Sequence, residues 1–180
     1  MTLITGWVLA VVAFVLAGSI WNAVFGMDAS FWVACLAGFF TWKYFNDKYK
    51  REMQALLNPP AQVWALRMED AWTCLEDVLA TAFVETGVSG ISRWRIVSKD
   101  NNRGLLQAQM DFKQALGSPA DPKIFGRTII LDAQLTPEGE ATKVEIQYHI
   151  MSPSGTGMVE DCIKKTQASM VSRVAIVKGV

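Results

Sequence analysis

The stretch GLLQAQMDFK, residues 104–113, alternates between two kinds of side chain along its length. Every second residue is apolar or small, and the residues between them are polar or charged. The apolar set is Leu106, Ala108, Met110 and Phe112. Successive side chains of a β-strand point to opposite faces of the sheet. The pattern therefore predicts a strand of an antiparallel sheet that has one buried face and one solvated face.

Three more segments, residues 93–98, 128–136 and 141–151, have the character of strands in the same sheet. The last two alternate clearly, and their apolar faces are Ile129, Leu131, Ala133 and Leu135, and Val144, Ile146, Tyr148 and Ile150. Turn-forming stretches separate neighbouring strands: KDNNRG at 99–104 and TPEGE at 136–140. We expect a four-stranded antiparallel sheet.

Two amphipathic helices are predicted to flank these strands in the sequence. The first follows Asn58-Pro59-Pro60 and ends near Thr86-Gly87. Its apolar stripe recurs at spacings of three and four residues: Trp64, Met68, Ala71, Leu75, Val78 and Ala82. The second helix starts near Thr156, within SPSGTG at 152–157, where helix capping is favoured over anion binding by backbone amides.

This order predicts a two-layer α-β-β-β-β-α domain of the α+β class at residues 59–180, with a four-stranded antiparallel sheet and the helices on one face. In outline it resembles helix-on-sheet folds of the helix-grip or TATA-box-binding-protein kind, as an analogy of shape.

The first part of the chain has a different composition. Residues 1–42 carry a single charged side chain, Asp28. Residues 2–25 form an uncharged run long enough to cross a bilayer, and a shorter apolar run covers residues 30–45. These runs predict a membrane-anchored protein with two antiparallel spans.

We therefore expect three segments. A transmembrane helical hairpin occupies residues 1–45, a juxtamembrane helix or linker occupies 46–58, and the α+β domain occupies 59–180. A cleaved signal peptide fits less well, because the first apolar run has no basic residue before it. Two buried helices also fit less well, because the rest of the chain offers too little surface to cover them.

The segment TWKYFNDKYKRE, residues 41–52, mixes aromatic and basic side chains. Such a mixture suits either a nucleic-acid surface or the place where a helix leaves a membrane. After residue 52 the chain carries 14 acidic and 13 basic side chains, which argues against nucleic acid as a partner. The membrane-interface role is therefore assigned to Trp42, Lys43, Tyr44, Phe45, Lys48, Lys50 and Arg51. The positive-inside rule then predicts an integral membrane protein whose two termini and 59–180 domain are cytoplasmic, with residues 26–30 outside.

Small residues recur on one face of each predicted span. They are Gly6, Ala10, Ala13, Ala17, Ala34 and Gly38. Packing of the hairpin on itself is the favoured interpretation, and assembly with other membrane-protein subunits or as a homo-oligomer is the alternative. Because neither apolar run contains an ionisable side chain, the spans suit an anchor better than a transporter.

Catalytic residue patterns are missing from the sequence. His149 is the single histidine, and it falls on the polar face of the last strand. The cysteines Cys35, Cys74 and Cys162 form no metal-binding spacing. We predict no catalytic, cofactor-binding or metal site, no cofactor, and a protein that is not an enzyme.

Two functions fit these features. The first is a non-enzymatic membrane-anchored accessory or scaffold subunit that presents the 59–180 domain to partners. The alternative is a helix-grip-like binding module for a lipid or other apolar ligand, with a pocket lined by Met110, Phe112, Leu131 and Tyr148. Residues 114–126 are predicted to be a long loop, in which Ile124 and Phe125 either cover the core edge or contact a partner or ligand.

Overall fold

The computed structural model describes residues 3–25, 27–118, 121–151 and 157–177; within these ranges it leaves undescribed the side chains of residues 3–5, 21–22, 24–25, 27–31 and 157. The predicted helix start at Thr156 lies outside these residues, and so does Gly26. The chain divides into two compact units, Met1–Ala55 and Leu56–Val180.

The first unit contains helix α1, Leu3–Phe25, and most of helix α2, Met27–Leu57. Ala10 and Ala34 are buried, and a side chain on Gly38 would meet the carbonyl oxygen of Ala10 at 3.4 Å. Small residues therefore lie where the two helices approach each other.

The remaining small residues of the predicted seam lie in different surroundings. A Cβ on Gly6 would lie 2.9 Å from the Cβ of Phe45, and Ala13 and Ala17 are partly buried. A role of these residues in assembly with other subunits stays a prediction.

The transmembrane interpretation of residues 1–45 is wrong. In the part of the chain that the structure describes, no helix is both long and apolar enough to cross a membrane. Asp28 and Lys43 lie within α2 and leave between them an uncharged run shorter than the roughly 20 residues of a span.

Three further predictions depend on those spans and are wrong with them. They are the membrane anchor, the cytoplasmic placement of both termini and the 59–180 domain, and the outside placement of residues 26–30. The aromatic and basic residues at 42–51 lie inside α2, where the ring of Trp42 is 6.0 Å from that of Trp7. Their interpretation as a membrane interface loses its basis.

The second unit is built on a five-stranded antiparallel sheet with the strand order β1-β7-β6-β5-β4. Its strands are β1 Gln62–Trp64, β4 Arg95–Asp100, β5 Leu105–Ser118, β6 Asp121–Glu138 and β7 Ala141–Met151. Strands β2 Phe83–Thr86 and β3 Gly90–Arg93 pair only with each other and form a separate ribbon. Helix α3, Met68–Thr81, follows β1, and helix α4, Gly157–Val177, follows β7.

The prediction of a four-stranded sheet between two helices needs three corrections. The first predicted helix is shorter, because Trp64 belongs to β1 and residues 83–86 belong to β2. The predicted strand at 93–98 is two strands, which meet at the buried Trp94. The three strands that were missed have only three or four residues each, too few for a period of two to stand out.

The predicted loop at 114–126 is also wrong. β5 and β6 pair along their length, as far as Ser118 with Asp121. The hairpin therefore satisfies the backbone groups of this segment by strand pairing, which a free loop could not do.

The core lies between the sheet and the two helices of this unit. α3, α4 and the inner face of the sheet share one hydrophobic cluster. At its centre Leu75, Ile129, Leu131 and Ile163 are fully buried. The helices therefore cover one face of the sheet, as the alternation of its strands predicts.

Candidate functional site

A cleft of about 770 Å³ lies between helix α4 and the corner where α3 passes into β2. One wall is a single stretch of chain, residues 81–85. The other wall comes from one face of α4, on which residues recur after three or four positions. These are Met158, Asp161, Cys162, Lys165, Thr166, Ala168 and Ser169.

The cleft has buried lining residues of both kinds, the apolar Val84 and the polar Thr166, and charged residues at its edge. Val84 and Cys162 are buried, and the ring of Phe83 is 48% exposed. Asp161 and Lys165 are exposed at the edge. Ligand pockets in proteins combine an apolar lining with a few polar groups in this way.

Strand β2 of the β2–β3 ribbon supplies part of the cleft wall. The turn of the ribbon is closed by Thr86, whose hydroxyl oxygen accepts a hydrogen bond from the backbone nitrogen of Ser89 at 2.9 Å. The hydroxyl of Ser89 accepts another from the backbone nitrogen of Lys113, at 3.2 Å. This second bond ties the ribbon to β5, so that its outer strand faces α4.

Cys162 connects the cleft to the core. Its Sγ lies 3.5 Å from Sδ of Met110 on the inner face of the sheet. Burial raises the pKa of this thiol to about 11. The hydrogen bond with Thr166 and the charge of Lys165 both lower this pKa, but by less than burial raises it. The sulfur is therefore protonated near neutral pH, which makes it a packing group and not a nucleophile.

Two buried polar groups on the inner face have unpaired atoms. The two terminal guanidinium nitrogens of Arg127 and the hydroxyl of Tyr148 lack hydrogen-bond partners in the described structure. Burial raises the pKa of the Tyr148 phenol well above its ordinary value. Buried polar atoms without partners are uncommon in folded proteins, so both positions are candidates for contact with a ligand.

The residues predicted to line a pocket lie together on this inner face. Met110, Phe112, Leu131 and Tyr148 are all buried in the core cluster, and none of them is part of the cleft wall. Of the predicted loop residues, Ile124 is 59% exposed and Phe125 is partly buried, and both lie in β6. Ligand contact by these six residues stays a prediction.

His149 has a partner that sequence spacing does not indicate. Its Nε2 lies 3.2 Å from Oδ2 of Asp132 on the neighbouring strand. The amide of Gln107 donates a hydrogen bond to the other oxygen of Asp132, at 2.8 Å. All three side chains lie on the face of the sheet away from the helices, apart from the cleft. Within the described residues, no three His, Cys, Asp or Glu side chains are grouped to hold a metal ion.

No family model matches the chain, and no curated protein matches it. Several solved structures are similar to it. Ara h 8.0201 is 11% identical over 67% of this chain and 96% of its own, with a TM-score of 0.46. The 18 kDa protein CC1736 from Caulobacter crescentus is 15% identical over 67% of this chain and 97% of its own, with a TM-score of 0.34. A START superfamily protein from Mycobacterium smegmatis is 12% identical over 64% of this chain and 91% of its own, with a TM-score of 0.29. At these identities and TM-scores, none of these likenesses carries a conclusion about this chain.

Proposed function

We propose that residues 56–180 form a binding domain for a small molecule with an apolar body, held in the cleft between α4 and β2. The observation that supports this function is the cleft itself. Its volume of about 770 Å³ falls in the usual range for ligand pockets, roughly 300–1,000 Å³. Phe83 and Val84 give the cleft wall apolar surface, which suits a ligand with an apolar body.

Phe83 supplies the main apolar surface for such a ligand. Its ring is about half exposed at the cleft wall, next to the buried Val84. A ligand that covers this ring removes apolar area from water, which favours binding by about 25 cal/mol per Å² before the costs of association.

Binding without catalysis fits the groups around the cleft. Its one thiol, Cys162, is protonated near neutral pH because burial raises its pKa. The pair His149 and Asp132 belongs to the other face of the sheet and is not among the residues of the cleft wall. We therefore assign the cleft a binding role and no chemical step.

The test uses the full chain and decanol, a neutral molecule with a ten-carbon tail, in isothermal titration calorimetry. Ser169→Trp places an indole in the cleft wall. Val171→Trp is the matched control, because it adds the same side chain on the opposite side of α4, at a residue that is 58% exposed. We expect Ser169→Trp to weaken decanol binding at least about tenfold, an affinity change of about 1.4 kcal/mol.

The control variant should bind decanol as the unaltered protein does. Thermal unfolding of both variants checks that each one is folded. If decanol fails to bind the unaltered chain, the proposed function is wrong. If it binds equally to both tryptophan variants, the cleft is not the binding site.

A further inference from the structure

Arg127 occupies an unusual place on the inner face of the β5–β6 hairpin. Its register partner is Phe112, and the next pair toward the core is Met110 with Ile129. In the other direction, toward the hairpin tip, the next inward-facing pair is Gln114 with Phe125. Arg127 therefore stands at the boundary between the buried core and the more exposed arm of the hairpin.

The charge of Arg127 is buried, and no acidic side chain among the described residues pairs with it. The side chain is 1% exposed. Its Nε donates a hydrogen bond to Oε1 of Gln114 at 3.1 Å, and the Phe125 ring centroid lies 5.8 Å from Cζ. The two terminal nitrogens have no hydrogen-bond partner within the described structure. A guanidinium remains charged in proteins, and burying an unpaired charge is strongly unfavourable.

We propose that Arg127 binds the acid group of the ligand, so that the ligand class is amphipathic acids: a carboxylate or a phosphate that carries an apolar chain. The inference rests on the proposed function, because it assigns the apolar chain to the cleft. The guanidinium offers two parallel N–H donors, a geometry that carboxylates and phosphates match with paired hydrogen bonds.

The cleft and Arg127 are linked through neighbouring side chains. Cys162, in the cleft wall, contacts Met110. Met110 is two residues from Phe112 on β5, which corresponds to about 7 Å along a strand. Phe112 is directly opposite Arg127, about 5 Å away between Cα atoms. Met110 and Phe112 are themselves buried, so a chain of about ten carbons that joins the cleft to Arg127 has to displace these two side chains.

Access to the guanidinium is controlled by the pair Gln114 and Phe125. Both side chains contact Arg127 from the side of the hairpin tip, and both are partly exposed. A rotation of the Phe125 ring would therefore expose the terminal nitrogens on the side of the hairpin tip. Phe125 thus acts as the cover of the acid-binding position.

The test compares three molecules on the full chain by titration calorimetry: decanoate, decyl phosphate and decanol. The unaltered protein should bind both acids at least about tenfold more tightly than decanol, since hydrogen bonds to charged groups are stronger than those between neutral groups. Arg127→Met should remove this preference and leave decanol binding within about twofold. Arg127→Lys, which keeps the charge but not the paired donors, should retain part of the preference. Arg103→Met, at an exposed arginine, is the matched control and should change nothing.

The outcomes separate the two proposals. If decanol binds but the acids bind no more tightly, or if the preference survives Arg127→Met, the role of Arg127 is wrong and the proposed function stands. If none of the three molecules binds, the proposed function is wrong as well. Inorganic phosphate that binds alone, and is lost in Arg127→Met, would support an anion site and overturn the amphipathic ligand.

The midpoint of thermal unfolding is a second measurement, and it shows whether each variant is folded. Decanoate should raise the midpoint of thermal unfolding in the unaltered protein and in Arg103→Met. In Arg127→Met, it should raise the midpoint no more than decanol does. A decanoate-specific shift that persists in Arg127→Met would overturn the inference.

Discussion

The indole nitrogen of Trp94 donates a hydrogen bond to the hydroxyl of Thr166 at 3.2 Å, across 72 positions of sequence. Both residues are buried. The hydroxyl of Thr166 in turn donates to the carbonyl oxygen of Cys162, at 2.9 Å. Trp94 lies between β3 and β4, so these bonds attach that point of the chain to the face of α4 that forms the cleft wall. The position of the β2–β3 ribbon and the position of α4 therefore depend on each other.

Thr166→Val should destabilise the second unit, because it leaves the indole N–H of Trp94 buried without an acceptor. The expected loss is about 1–3 kcal/mol in the free energy of unfolding, measured by urea denaturation. Thr166→Ser keeps the hydroxyl and should lose less. In a double-mutant cycle with Trp94→Phe, the two substitutions should lose less together than the sum of their separate effects. Strict additivity would show that the hydrogen bond contributes nothing.

Gly104→Ala should be among the more damaging single substitutions in the chain. Gly104 has a positive φ of 70°, and a Cβ there would lie 2.0 Å from the carbonyl oxygen of Leu135. Because Leu135 also donates its backbone N–H to the Gly104 oxygen at 2.7 Å, neither strand can move freely. We expect a loss of at least about 3 kcal/mol in urea denaturation.

Gly139→Ala is the matched control for this substitution. Gly139 has nearly the same φ, 65°, but a Cβ there would meet nothing within 4 Å. It should cost only the conformational strain, about 1 kcal/mol. Equal losses in the two variants would mean that the close contact with Leu135 is not what matters at Gly104.

The long strands of the sheet follow from the sequence because each carries its pattern over many residues. The predicted strand at 141–151 coincides with β7, and the inward residues of β5 and β6 are the predicted ones. The short strands could not be found in this way. Trp64 fits a helical stripe with Met68 and Ala71, and only its pairing with Thr142, far along the chain, makes it part of a strand.

The cleft could not be predicted, because its walls come from residues 81–85 and from α4, which no local pattern relates. Arg127 did carry a signal: in β6 it has the same parity as Ile129 and Leu131, so alternation places a charged residue on the apolar face.

The composition of residues 1–42 was misleading for a different reason. Low charge predicts apolar surface, but it does not determine what covers that surface.

Arg127→Met should leave the second unit as stable as before, or make it more stable. Methionine has a similar length and removes a buried charge that lacks an acidic partner in the described structure. Replacing buried ionic groups by apolar ones is often neutral or stabilising by about 1–4 kcal/mol. Urea denaturation without ligand measures the change, and Arg127→Lys, which keeps the charge, should show no gain. A loss of more than about 2 kcal/mol in Arg127→Met would mean that its hydrogen bond to Gln114 is a major structural contact.

Alkaline pH should destabilise the second unit through its buried thiols and its buried phenol. Burial raises the pKa of Cys162 to about 11 from an ordinary value of 9.0, and it also raises the pKa values of Cys74 and Tyr148. In each case the folded state binds the proton more tightly than the unfolded chain does. The stabilising contribution is therefore complete below the unfolded pKa and decreases as the pH rises through the folded pKa.

For Cys162 this window runs from about pH 9 to about pH 11, and at about 1.4 kcal/mol per pH unit the loss reaches roughly 2–3 kcal/mol. Urea denaturation at several alkaline pH values measures the slope. Cys162→Ala removes the titrating thiol, so its stability should fall less steeply over this window. Tyr148→Phe should flatten the curve only above about pH 10, the ordinary pKa of a phenol. If Cys162→Ala and the unaltered protein lose stability in parallel between pH 9 and pH 10, the buried thiol is not the group responsible, and Cys74 becomes the first alternative because its pKa is raised by the same cause.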